Sequence, residues 1–265
     1  MRYDDSNYTL LIKPVPTIDG MPEAMPRVSP YGSRMASGFG LVPLLDFPSK
    51  LVRPDEIEGV IKECHEKKIF AMYHQEATWA PEGFEWYQNG LPWCWTWGIT
   101  AAVQDVEASE GRPTIPLAPN TNGWLVGWQQ RGYFLDATIA GVKDRGIAPA
   151  SFVPHLLETN PRKFKEGWEQ AALDHRVDEW WDTKRETDIG MICQALSILR
   201  TGKSCYIAYN WWGHALSCCG MFWNPSGFLN VDWVNRNSHK EKKWIVMGGR
   251  KAIPDELYGV RAIAV

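Results

Sequence analysis

The feature that most constrains this chain is a change of pattern at Gly202. Before it the segments read as helices, and after it as strands. "PDEIEGVIKECHEKKI" from Pro54 has proline in the first turn and acidic residues near the positive end of the helix dipole. "CWTWGITAAVQDVEASEG" is composed of good helix formers and stops at Gly111. "DATIAGVKDRGIAP" offers Asp136 as an N-cap and Gly146 as a stop. Asn160-Pro161 opens a helical stretch reaching "DEWWD", and Thr187-Asp188 opens "TDIGMICQALSILRTG". Then come "SCYIAYN", "HALSCCGMF", "FLNVDWVNR", "KWIVM" and "YGVRAIAV", short apolar runs separated by turn residues. Helices first and antiparallel strands afterwards predict an α+β fold of two lobes. Residues 54–265 form the domain, with 85–203 mainly helical and 204–265 the β lobe.

Residues 1–53 do not fit either pattern. "KPVPTIDGMPEAMPRVSPYGS" has too many prolines for a helix or a central strand. It reads as an extended arm that lies along the domain or joins another chain, as in a homo-oligomer or a larger assembly. A net charge of −3 over 265 residues gives no footprint for nucleic acid or for an anionic membrane. No apolar run approaches the roughly 20 residues that span a bilayer. "MRYDDSNYTL" has no basic start or apolar core, so synthesis in a cytoplasm without a signal peptide is expected. The six cysteines follow neither a disulfide framework nor a zinc spacing. We expect a reduced protein with no metal and no cofactor.

One cysteine stands apart. In "QNGLPWCWTWG", Cys94 lies between two tryptophans, just after Pro92, where a helix is about to begin. There the unpaired N–H groups and the helix dipole favour a thiolate. The other reading is a small buried residue in an aromatic core. A nucleophile needs an imidazole partner and a group that orients it. Of six histidines, His214 opens a strand in "WWGHALSCCG", and "WNPSG" then turns the chain back into "FLNVDWVNRNS". A four-residue loop over 224–227 pairs Trp223 with Phe228 and sets His214 directly opposite Asn237. Asn235 lies on the same face and would substitute after a slip in register. An asparagine oxygen can accept the imidazole proton and hold the ring, leaving its other nitrogen for a thiol. Gln88, six positions before Cys94, could donate its amide to an oxyanion together with the cysteine N–H.

Gln88, Cys94-Trp95, His214-Ala215 and Asn237-Ser238, in that order, resemble the papain-like cysteine peptidases. The likeness covers about residues 85–265. It implies a helical lobe and a β-barrel-like lobe with the site between them. Cys94 is then the nucleophile, His214 the base, Asn237 its orienter and Gln88 part of the oxyanion hole. Three departures stand out. Leu91 occupies the position of a disulfide cysteine of secreted members, and His239 that of the tryptophan which shields the histidine–asparagine bond. "KEKK" replaces a glycine-rich run. The "WWGHA", "RNS" and "GGRKAIPDELYG" stretches are similar to a divergent bacteriophage and bacterial subgroup.

Two readings follow. One is a thiol peptidase or amidase acting on peptides or proteins, weak or selective because its histidine–asparagine pair is wetter. The other is a virion structural protein, capsid- or tail-associated, built on the same scaffold. Glycan binding through exposed tryptophans ranks last, since no carboxylate pair has a recognisable spacing.

Overall fold

The computed structural model describes residues 2–3, 51–74, 86–88, 91–113, 115–125, 132–183, 187–239 and 242–263. Nothing is described of the side chains of residues 2, 3, 182, 237, 239, 242–244 and 262. Six helices are described: α1 (Ile57–Glu66), α2 (Cys94–Ser109), α3 (Pro119–Leu125), α4 (Leu135–Arg145), α5 (Trp168–Ala172) and α6 (Asp188–Leu199). The strands are β1 (Arg2–Tyr3), β2 (Val177–Asp182), β3 (Cys205–Tyr209), β4 (His214–Trp223), β5 (Val231–His239), β6 (Lys242–Met247) and β7 (Glu256–Ile263).

All seven strands belong to one sheet in the order β1-β6-β5-β4-β3-β7-β2. Among the described strands only β1 runs parallel to its neighbour, pairing Arg2 and Tyr3 with Val246 and Met247. The mixed helix and antiparallel-sheet fold expected from the sequence is present, but the sheet stays open instead of closing into a barrel.

Alternation along the central strands explains the layers. Tyr206 and Ala208 of β3 face one core with Trp93, with Trp95, Trp97 and Val103 of α2 and with Leu135 and Ile139 of α4. Cys205, Ile207 and Tyr209 face a second core with Ile57 and Ile61 of α1 and with Met191 and Leu196 of α6. Every residue of β3 is buried, as a strand covered on both faces requires. Val52, at the end of the predicted arm, is buried in the second core, and its N–H donates to Ser197 Oγ at 2.8 Å. Residues 4–50, most of that arm, lie outside the described residues.

Three local expectations need correction. "VDEWWD" is strand β2, not the end of a helix. Gly167, with φ of +83°, interrupts the helical stretch, and β2 then pairs with β7. Asp136 lies inside the first turn of α4, and the N-cap is Phe134, which makes no side-chain capping bond. The third concerns the hairpin register. Trp223 pairs with Val231, because residues 224–230 form the connection and Phe228–Asn230 wind into a short 3-10 turn. Leu229 and Asn230 both take positive φ there. A bulge between Cys218 and Gly220 shifts the ladder again.

Candidate active site

Pro92 and Trp93 bring the chain into α2, whose first residue is Cys94. The Trp93 side chain makes no capping bond. The Trp93 carbonyl accepts from the Thr96 and Trp97 amides, and from Thr96 Oγ1 at 2.9 Å. The cysteine therefore begins a helix whose leading amides are not capped by that side chain. Its own side chain is 1% exposed and packs in the same apolar core as Ala215, the residue after His214.

The helix meets β4 closely. A Cβ on Gly98 would stand 3.1 Å from the Leu216 carbonyl oxygen and 2.9 Å from Tyr206 Cε2. Glycine at this crossing lets the α2 backbone rest on the strand. Cys94 is one turn back along the helix, about 6 Å, and His214 is two residues back along the strand. Among the described residues no hydrogen bond joins Cys94 to His214. His214 pairs with Tyr209 across the β3–β4 hairpin and is 4% exposed. Its ring centroid lies 4.3 Å from that of Trp212.

Gln88 is tied to β5 rather than waiting in an open loop. Its backbone N–H donates to the Ser238 carbonyl at 2.9 Å, and its Oε1 accepts from Ser238 Oγ. Its Nε2 donates to the Leu91 carbonyl at 2.8 Å, using one of its two hydrogens. The side chain is 2% exposed. The segment leading to Cys94 is thus bound to the residue that follows Asn237. The sequence singled out Gln88 but gave no sign of this partner.

Asn237 lies in β5 by its backbone. The ladder pairs Ser217 with Arg236 and Cys218 with Asn235, so its continuation sets Leu216, not His214, opposite Asn237. The offset is two residues, and a shift of two preserves the face. The Asn237 side chain, and with it the predicted His214–Asn237 contact, lies outside the described residues. So does the His239 side chain, the expected gap in the shield. Asn235, the predicted substitute, is fully buried and pairs in the ladder with Cys218 and Ile245.

The neighbouring charges serve the framework. Asp105 of α2 pairs with Arg236 of β5, both almost fully buried, and Ser204 Oγ donates to the second oxygen of Asp105. Burial pulls the Arg236 guanidinium down from its ordinary value and Asp105 opposes that pull. Glu107 Oε1 meets His175 Nδ1 at 2.5 Å on the same helix. All six cysteines are free and buried. Burial raises the thiols of Cys205 and Cys218 well above the usual range and that of Cys64 to about 11. Among the described residues no cluster of three His, Cys, Asp or Glu could hold a metal, and no helix is long and apolar enough to cross a membrane. Every described tryptophan is buried or half-buried, which counts against the glycan reading.

Helices packed on both faces of this antiparallel sheet give the papain-like fold. Solved structures with this fold include xylellain, a cysteine protease from Xylella fastidiosa, and a recombinant stem bromelain precursor. Xylellain has a TM-score of 0.52 at 14% identity over 70% of this chain and 85% of its own. The bromelain precursor has a TM-score of 0.54 at 14% identity over 77% and 72%. Digestive procathepsin L 3 of Tenebrio molitor larval midgut covers more, 89% and 93%, with a TM-score of 0.51 at 12% identity. No family model matches the chain, and no curated protein matches it in sequence.

Proposed function

We propose that this chain is a papain-like cysteine peptidase or amidase, with Cys94 as nucleophile, His214 as general base and acid, Asn237 as orienter and Gln88 in the oxyanion hole. The observation that carries the reading is the Gln88–Ser238 joint. Two hydrogen bonds across 150 residues of sequence tie the approach to Cys94 to the strand bearing Asn237. A buried apolar core has no need of such a joint, whereas an acyl-transfer site needs its donor, nucleophile and base held in one frame.

In the reaction, the Cys94 thiolate attacks the carbonyl carbon of a peptide or amide. The oxygen takes the negative charge and is met by the second Gln88 Nε2 hydrogen and the Cys94 N–H. Imidazolium at His214 gives its proton to the leaving amine, and the C–N bond breaks to leave a thioester on Cys94. Neutral His214 then takes a proton from water, which attacks the thioester and releases the acid.

The test compares wild type, Cys94→Ala and His214→Gln on a mixed peptide library under reducing conditions, read by mass spectrometry. Selective cleavage by the wild type that both substitutions abolish is expected. Cleavage that survives Cys94→Ala would overturn the assignment. No cleavage by any form would leave the virion-scaffold reading in its place.

A further inference from the structure

The β3–β4 hairpin turns through Asn210-Trp211-Trp212-Gly213, an unusual place for two indoles. Turn chemistry asks for small or polar residues, and here they stand only at the two ends, Asn210 and Gly213, the latter with φ of +60°. Other contacts secure the loop. The Gly213 N–H donates to the Asn210 carbonyl at 3.1 Å, and the Asn210 N–H donates to Asp255 Oδ2 at 2.7 Å. Trp211 Nε1 donates to the Lys251 carbonyl at 3.0 Å, and Lys251 Nζ stands 5.5 Å from the centroid of that ring. Trp211 stacks on Trp212 with centroids 5.8 Å apart and planes 20° apart. Trp212 in turn lies 4.3 Å from the His214 imidazole, at 46°. Ammonium, indole, indole and imidazole form one continuous row of contacts, stacked at Trp211–Trp212 and tilted at Trp212–His214, fixed at its far end to the loop before β7.

We propose that Trp212 is a positioning residue for His214, covering the imidazole and setting its plane; this rests on the cysteine-peptidase reading. It does from the amino side of His214 what a tryptophan after Asn237-Ser238 would do from the other strand, where this chain has His239. An indole face excludes water from the ring edge it covers, and it favours the imidazolium that forms when the thiol ionises. Trp211 and Lys251 keep the indole from swinging away. Lys251 stands at the far end of this row, and Asp255 accepts from the start of the turn. Half-buried tryptophans in a turn are spared the core, so their loss is tolerated better than that of Trp93 or Trp95.

The test has two readouts. The first is the exchange with water of the His214 ring N–H, by proton NMR, assigned by its loss in His214→Gln. The second is the rate of Cys94 carbamidomethylation at pH 7, followed on its peptide. In Trp212→Ala, N–H exchange speeds by about tenfold or more and Cys94 reacts about tenfold more slowly, in line with the cost of a misplaced base. Trp212→Phe keeps both near wild type. Equal exchange in wild type and Trp212→Ala, or no protected ring N–H in wild type, would overturn the proposal. If the alanine variant fails to fold, Trp212→Leu, which keeps bulk without an aromatic face, replaces it. A protected N–H in wild type together with Cys94 reactivity unchanged in His214→Gln would remove the peptidase reading and leave the shield standing.

Discussion

Six buried thiols offer a test of whether Cys94 differs in kind from its neighbours. Accessibility alone ranks Cys193 first, at 7% exposure against 1% for Cys94. Cys64, raised to about 11, would hold roughly a thousandth of its thiol as thiolate at pH 8, and burial also holds Cys205 and Cys218 well above the usual thiol range. A nucleophile activated by a helix end and an imidazole reverses the accessibility order, since the thiolate is the reacting species. With limiting iodoacetamide on the folded protein, Cys94 should therefore be modified before Cys193 and long before Cys64, Cys205 and Cys218. Peptide mass spectrometry gives the order. Modification of Cys193 first, with Cys94 no faster than Cys64, would reduce Cys94 to a core residue. At this scale the sequence spoke clearly through types and spacing, since Cys94 leads α2 and His214 leads β4. The Gln88–Ser238 joint and the Trp212–His214 contact were not legible, because both depend on how distant or looped backbone is placed.

Elements were legible where a local signal stood alone. Pro54, Thr187, Gly111 and Gly146 punctuate helices as expected, and Thr187 Oγ1 accepts from the Gly190 N–H at 3.3 Å. "VDEWWD" misled because tryptophan tolerates both states, and β7, some 80 residues later, decides between them. The register error came from Phe228–Asn230, an apolar run that winds into a turn instead of pairing, and the added residue at Cys219 moves the ladder one residue back. The α2–β4 crossing sets the relation between Cys94 and His214, and Gly98 tests it. Alanine there would meet the Leu216 carbonyl and a Tyr206 ring whose hydroxyl is held by the Trp95 carbonyl at 2.9 Å. Overpacking of about 1–3 kcal/mol outweighs a helix gain of at most about 1 kcal/mol. Gly98→Ala should therefore lose about 1–2 kcal/mol in urea unfolding and slow Cys94 modification. Gly59→Ala is the control: it lies exposed in α1 with nothing within 4 Å of its added carbon, and should gain stability. A stabilised Gly98→Ala with unchanged Cys94 reactivity would show that the helix does not rest on the strand as described.

The described strands form one sheet with helices packed on both faces, so side chains from both halves of the sequence meet across it. β2 comes from the helical half of the sequence and completes the sheet edge beside β7. The ionic contact between the halves in the core is the Asp105–Arg236 pair, 131 residues apart, with Ser204 on the second carboxylate oxygen. Ionic groups this deep seldom improve on apolar packing, because desolvation consumes most of the attraction. Removing one partner is costly, since it strands the other charge in the core. Arg236→Met should therefore lose about 3–5 kcal/mol, read as a lower urea midpoint with an unchanged slope. Asp105→Leu combined with Arg236→Met should recover most of that loss, because no charge is then left without its partner. Tryptophan fluorescence reports both cores, with Trp95 and Trp97 in one and Trp181 and Trp233 in the other, and far-ultraviolet dichroism the whole backbone; the two should give coincident transitions in all three proteins. If the single substitution melted the α2 core before the sheet, the halves would be separable lobes, and the pair would be a local contact. If the double substitution were as damaging as the single one, the pair itself would be the stabilising element. Coincident transitions with recovery in the double variant would instead assign it the alignment of α2 on β5, and through β5 the alignment of the Cys94 helix with the strand that bears Asn237.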